Sequence, residues 1–381
     1  MHRNFVLAIL HCIVQKCFKV KKLVLSLLAL TALCSMLSLN SCAIHPVAWQ
    51  PSKVLPFEGE TALNEKLTQT TRIHLNGWLG PEDIVFDSLG NLYCGVHNED
   101  FSDGRILKIS VNNQIEEFYN AGSWVAGLHF DKNNNLIALS HKQGLISISP
   151  DKKVSILVDK DEKGNRFFIP NGLDIASDGK MYFTNTSEIS AYNIKYGRKL
   201  ILEMKPRGAL YCYNPENRSL ETLINGTYFG NGVVLSKDES YVLMAETTKY
   251  RVLKYWLKGE KKGQTEIFLD NLQGFPNGIS VRNDGTYWLG FTTKRNEALD
   301  KIHSKVGMKK FVYGLPNFLQ PKADKFGMIQ HISIDGKIIE TLFDTKGILL
   351  PEAGAAKEYN GYLYIGGDVL PYVGKLKIDS K

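Results

Sequence analysis

The chain has 381 residues and a formal net charge of +7, but the first 41 hold five basic residues (Arg3, Lys16, Lys19, Lys21, Lys22) and no acid. The remainder keeps 41 basic against 39 acidic residues, about +2, so the basic balance implies no nucleic-acid partner. Only Cys94 and Cys212 of the six cysteines lie beyond residue 42; with no CxxC or clustered His/Cys pattern, zinc is not indicated.

The chain opens with a leader. Lys16 to Lys22 precede "LVLSLLALTALCSMLSL", an apolar run of 17 residues that stops at Asn40. A basic stretch, an apolar stretch and small residues at a cut form an export signal over residues 1–41. The "LNSC" at 39–42 resembles the lipobox of bacterial lipoproteins, which makes Cys42 the expected lipidated residue. An uncleaved signal anchor is the alternative, because the run is near the lower limit for a membrane span. Either way the body is expected outside the cytoplasm, in the cell envelope and held to a membrane. Residues 42–70 read as a linker and N-terminal segment.

Six similar pieces follow: "FDSLGNLYCGV" (86–96), "FDKNNNLIALS" (130–140), "IASDGKMYFTN" (175–185), "LSKDESYVLMAE" (235–246), "VRNDGTYWLGF" (281–291) and "KEYNGYLYIGG" (357–367). Each is a strand end, a turn rich in Asp, Asn or Gly, and an apolar strand. The first five are followed by a second hairpin, as in "GRILKISVNNQIEEF" at 104–118. Two hairpins per repeat make a four-stranded blade, and six blades close into an all-β propeller over residues 71–381. The last repeat lacks its outer strand, which "TRIHLNG" at 71–77 is expected to supply. Longer repeat intervals place insertions around 186–207 and 296–326. The second, "EALDKIHSKVGMKKFVYGL", has a helical and basic pattern and reads as a cap, with a lid or membrane-facing patch as the functional alternative. Cys94 and Cys212 fall inside apolar strands and read as buried hydrophobes, a disulfide being the other possibility.

Aligned on their turns, the repeats place Glu82, Ala126, Asn171, Asn231, Asn277 and Ala353 at one position, just before the innermost strand. In a propeller that position faces the mouth of the central channel. Four of the six carry an oxygen-bearing side chain, in "GPEDIVFD", "IPNGLDIA", "FGNGVVLS" and "FPNGISVR". Calcium takes six to eight oxygen ligands from carboxylates, amides and water, so Glu82, Asn171, Asn231 and Asn277 are candidate metal ligands. The bland alternative is that Asn–Gly is a common turn dipeptide.

Those stretches, with "GLDIASDGKMYFTNTS" and the run from Phe229 to Ile279, resemble the strictosidine synthase-like branch of the calcium-dependent six-bladed propellers. Adipocyte plasma membrane-associated protein, paraoxonases and the gluconolactonase/regucalcin group are its relatives, and the resemblance covers residues 46–379. It implies one calcium ion on the axis, with Glu82, Asn171 and Asn231 on the family's ligand positions. Asn277 stands where relatives carry Asp, which implies a weaker site. The condensing glutamate of strictosidine synthase falls on Gly354, with Glu352 nearby but out of register. The paraoxonase histidine pair falls on Ala126 and His141. The resemblance therefore implies metal-assisted hydrolysis of a small-molecule lactone or aryl ester, with Asn171, Asp174 and His141 as catalytic candidates. A non-catalytic binding propeller with a structural metal is the rival; strictosidine-type carbon–nitrogen condensation is the third.

Overall fold

A computed structural model describes residue 22, residues 44–189 and residues 193–378, the side chain of Ile194 excepted. Residues 1–41, read above as an export signal, lie outside the described residues apart from Lys22, as does Cys42.

Six four-stranded antiparallel sheets are arranged as blades around an axis. Blades one to five start with innermost strands Ile84–Phe86, Val125–Phe130, Pro170–Ile175, Gly230–Leu235 and Gly274–Val281. Blade six runs Ala355–Tyr359, Tyr362–Gly366 and Tyr372–Lys377, and the chain's own first strand, Thr71–His74, completes it. Thr71 pairs with Lys375 and His74 with Tyr372, so the first and last strands of the propeller are hydrogen-bonded into one sheet. Ring closure removes the open sheet edge that a six-blade arc would otherwise expose.

The turns explain the hairpins. Asp87 Oδ1 accepts from the amides of Leu89 (3.0 Å) and Asn91 (2.8 Å), and Asp131 does the same for Asn133 (2.9 Å) and Asn135 (2.8 Å). Each turn then needs one left-handed residue: Gly90, Asn134, Gly179, Glu239 and Gly285 supply it in blades one to five. Blade six uses a two-residue Asn360–Gly361 turn with φ of 48° and 76°.

The core is a set of wedges between neighbouring sheets. Between blades one and two, for example, Val85, Tyr93 and Ile106 pack against Val125, Leu128, Leu136 and Ile146. Cys94 and Cys212 are both free and buried, in separate wedges.

Both insertions join the second and third strands of their blades, so they lie at the same end of the propeller. The first forms α1 (Ile194–Glu203), started by Asn193 accepting from Tyr196 N at 2.9 Å. The second forms α2 (Glu297–His303) and α3 (Val306–Gly314). Leu202 of α1 and Tyr313 of α3 close on Ile44, so the described chain begins seated in this cap. The following residues strap across the same end, with Lys309 Nζ donating to Val47 O (2.7 Å) and Arg295 to Ser52 O (2.7 Å).

Candidate functional site

The innermost strands of blades three, four and five each carry a bulge, with register shifts between Pro170 and Leu173, Gly230 and Val233, and Pro276 and Ile279. Asn171, Asn231 and Asn277 sit in these bulges and line a central cavity of about 120 Å³ together with Glu82. The four sequence-predicted oxygen ligands are thus brought to one cavity. The Asn–Gly pairs are not hairpin turns: neither residue of any of the three pairs has a positive φ. Glycine is required there for close approach instead. A Cβ on Gly172 would lie 2.5 Å from Asn231 O, and one on Gly232 2.6 Å from Asn277 O. Each inner strand therefore rests directly on the bulge of the next blade.

Threonines at the ends of the second strands lock the bulges. Thr186 Oγ1 donates to Gly230 O and Thr247 Oγ1 to Pro276 O, both at 2.7 Å and both to the residue just before the next asparagine. Because Thr247 has spent its proton on Pro276, it accepts from Asn231 Nδ2 at 3.2 Å. That assigns the amide's orientation and leaves Oδ1 without a partner. Asn277 Nδ2 is likewise directed at Thr292 Oγ1 (3.3 Å) and Asp368 Oδ1 (3.4 Å).

Three buried oxygens consequently have no partner: Glu82 Oε2, Asn231 Oδ1 and Asn277 Oδ1. Their residues are 6%, 3% and 1% exposed, which is where an unmet polar group is costly. Burial, then the nearby charges of Asp368, Asp83 and Glu352, raises the Glu82 carboxyl well above its ordinary range. Burial pushes Asp368 up to about 6, and burial followed by Asp368 raises Glu352. Among the described residues no Lys, Arg or His forms an ion pair with any of these three carboxylates. Oxygen donors and unpaired carboxylates at this end of the cavity fit a hard divalent ion, while the cavity's lysine, Lys357, acts on Asp83 and Asp174. No three His, Cys, Asp or Glu side chains among the described residues form a metal-holding group, so such an ion would depend on the carboxamides.

Asp174 lines the same cavity further along its strand. Its Oδ2 accepts from Leu235 N at 2.7 Å, and its Oδ1 meets His129 Nε2 at 3.2 Å and Ile175 N at 2.9 Å. Both oxygens are engaged in tying blades two, three and four. His141 is not among the cavity-lining side chains. It packs on Trp124 (centroids 5.1 Å apart), and its Nε2 has no partner. Burial and the neighbouring His97 push its pKa down to about 3.

Asp368 and Glu352 escape the first-strand register because both lie elsewhere, Glu352 one residue before its ring position and Asp368 beyond the second strand. The ends of the second strands hold a usable signal: His97, His141, Thr186, Thr247 and Asp368 all fall there.

Fold and site together define a six-bladed propeller with an oxygen-lined axial cavity. The strictosidine synthase family profile matches residues 171–260, and the strictosidine synthase-like N-terminal profile residues 59–109. Adipocyte plasma membrane-associated protein of Rattus norvegicus is 30% identical over 380 residues, covering 93% of this chain and 97% of the relative. Protein Strictosidine Synthase-Like 3 of Arabidopsis thaliana is 29% identical over 360 residues, covering 86% and 90%. The chain belongs to this strictosidine synthase-like family. Among solved structures, a gluconolactonase of Xanthomonas campestris superimposes with a TM-score of 0.58 at 15% identity, covering 88% of this chain and 97% of that one. The calcium-binding protein regucalcin of Agrobacterium tumefaciens gives 0.53 at 14% identity, covering 86% and 96%. Both likenesses concern the fold.

Proposed function

We propose that this chain is a calcium-dependent hydrolase of lactones or aryl esters, with Glu82, Asn171, Asn231 and Asn277 holding the ion. The observation that carries this reading is the set of three partnerless buried oxygens at one axial cavity, next to carboxylates that form no ion pair among the described residues. A divalent ion held there by these residues would supply Lewis acidity to a carbonyl oxygen and countercharge. The protein's own groups supply the orientation. Asn171 hydrogen-bonds Glu82 and holds that carboxylate in place. Asp174 anchors the inner strands below the ring through His129 and Leu235 N. His141, neutral and packed on Trp124 outside the cavity lining, takes no part in the reaction in this reading. The gluconolactonase and regucalcin likenesses agree with a lactone substrate and calcium, although they speak to fold. Purified protein should turn over phenyl acetate or simple lactones, lose that activity on chelation and regain it with calcium. A broad ester and lactone panel without metal-dependent turnover sinks the reading.

A binding propeller with a structural ion is favoured by one observation: the ring side chains are at most 6% exposed, which suits a plug joining blades as well as a catalyst. Under it, Glu82→Gln lowers thermal stability strongly while no substrate is turned over.

The same proposal puts this chain at a membrane, supported by the relatives' name, plasma membrane-associated protein, and by the apolar run at 23–39. Its cap suits that position. Val306, Met308, Phe311, Phe318 and Leu319 are exposed within one short segment. The insertions 186–207 and 296–326 together hold eleven basic and five acidic residues, although the whole body is only about +2. Exposed apolar side chains among lysines are the signature of a surface lying on anionic lipid. Among the described residues no helix is long and apolar enough to cross a membrane.

A further inference from the structure

We infer that Asp368 supplies the second carboxylate of the axial cation site, taking over from the position in blade five that holds Asn277. The inference rests on the cation reading above and deepens it. Asp368 comes from a different blade and a different place in the repeat than the four ring residues. It follows the second strand of blade six, Tyr362–Gly366, while the ring residues precede first strands or lie within their first half.

One side-chain contact sets Asp368 against the ring, and two further contacts hold its loop. Its Oδ1 lies 3.4 Å from Asn277 Nδ2, so the blade-five carboxamide points its amino group at Asp368 and leaves its own Oδ1 partnerless. Its backbone carbonyl accepts from His97 Nε2 at 2.7 Å, which ties the loop to blade one. The next residue, Val369, donates its amide to Glu352 Oε1 at 2.5 Å. Glu352 is therefore a positioning residue for Asp368, and the space is tight: a Cβ on Gly367 would lie 2.6 Å from Glu352 Oε1.

The charge balance gives the reason. Calcium affinity rises with the number of carboxylates around the ion. Glu82 with three carboxamides offers one negative charge. Adding Asp368 offers two, matching a divalent ion, with Asn231 Oδ1 and Asn277 Oδ1 as neutral donors. Asp368 is also the largest charged influence on Glu82, and neither acid has a basic partner among the described residues. Two neighbouring buried carboxylates without a cation repel each other, and a bound ion removes that repulsion.

The test uses the purified full-length exported chain, stripped with chelator and titrated with Ca2+ or Tb3+, read by calorimetry, terbium luminescence and thermal melting. Asp368→Asn should weaken Ca2+ binding about tenfold or more and shrink the calcium-induced rise in Tm. Its metal-free Tm should stay level or rise, because a repulsion has gone. Asn277→Asp added to Asp368→Asn should restore affinity by returning a carboxylate to blade five. Asp368→Ser serves should the first variant not fold. If Asp368→Asn and Asp368→Ser bind Ca2+ like the parent while Glu82→Gln does not, the inference falls and the cation site stands. If the parent chain binds neither ion, both fall together.

Discussion

Thr247 accepts a hydrogen bond from Asn231 Nδ2 at 3.2 Å while donating its own proton to Pro276 O at 2.7 Å. One hydroxyl thus sets the orientation of a carboxamide in blade four and anchors the bulge that presents Asn277 in blade five. The ring geometry is a property of blade–blade contacts, and it can be probed one contact at a time.

Thr247→Val keeps the shape of the side chain and removes both bonds. It should cost about 1–3 kcal/mol of stability, since Pro276 O and the Asn231 amide are buried. Freed from its lock, the Asn231 amide can rotate, so Ca2+ affinity should drop as well. Chemical denaturation and calorimetry check the two effects. Unchanged affinity would mean that Asn231 is not oriented by Thr247.

Gly232→Ala places a methyl group 2.6 Å from Asn277 O and 2.7 Å from Ile279 N, both backbone atoms that cannot rotate away. The inner strands of blades four and five must separate, at a cost of about 1–3 kcal/mol. The same change at Gly259, which has open space around it, tests only the left-handed backbone (φ 78°). A denaturation midpoint for Gly232→Ala no lower than that of Gly259→Ala would contradict the packing argument.

His129 and Asp174 predict a pH dependence on the far side of the ring. Burial alone would lower the His129 pKa, but the hydrogen bond and charge of Asp174 outweigh it and raise the pKa above 6.5. Asp174 is also buried, yet its bonds to His129 and Leu235 N hold it below 3.8. A raised histidine stabilises fully below its unfolded pKa and loses that contribution as pH rises through the folded value. A depressed aspartate loses its contribution only in acid, as pH falls through its own folded value. His129→Gln should therefore lower Tm most near about pH 5.5 and least near about pH 8.5. A difference that is flat across this range rules out a charged pair.

The cap makes a prediction independent of catalysis. Phe318 is 80% exposed and Phe311 48%, beside Met308 and Leu319. Replacing Phe311, Phe318 and Leu319 by Ser should leave the fold intact, because these side chains face outward. It should release the leaderless protein from phosphatidylserine vesicles in a flotation assay. Equal binding of variant and parent to anionic and neutral vesicles would remove the membrane-facing role.

The sequence by itself determined the architecture: turn residues repeat at a fixed place, apolar strands follow them, and the unpaired last repeat demanded the strand at Thr71–His74. It also determined that Glu82, Asn171, Asn231 and Asn277 share one place, because a propeller maps equal register to equal position around the axis. Only the tertiary structure decided what those residues face. The threonine locks and the glycines pressed against neighbouring backbones arise between blades, where residues far apart in the chain meet, Thr186 with Gly230 (44 positions apart) and Thr247 with Pro276 (29). Asp368 meets Asn277 from outside the shared register and Glu352 holds the Asp368 loop, through segments whose course the repeat pattern does not encode. Asp174 shows the converse. Its side chain lines the cavity as the strand pattern suggests, yet contacts with His129 and Leu235 occupy its oxygens and make it a tie between blades.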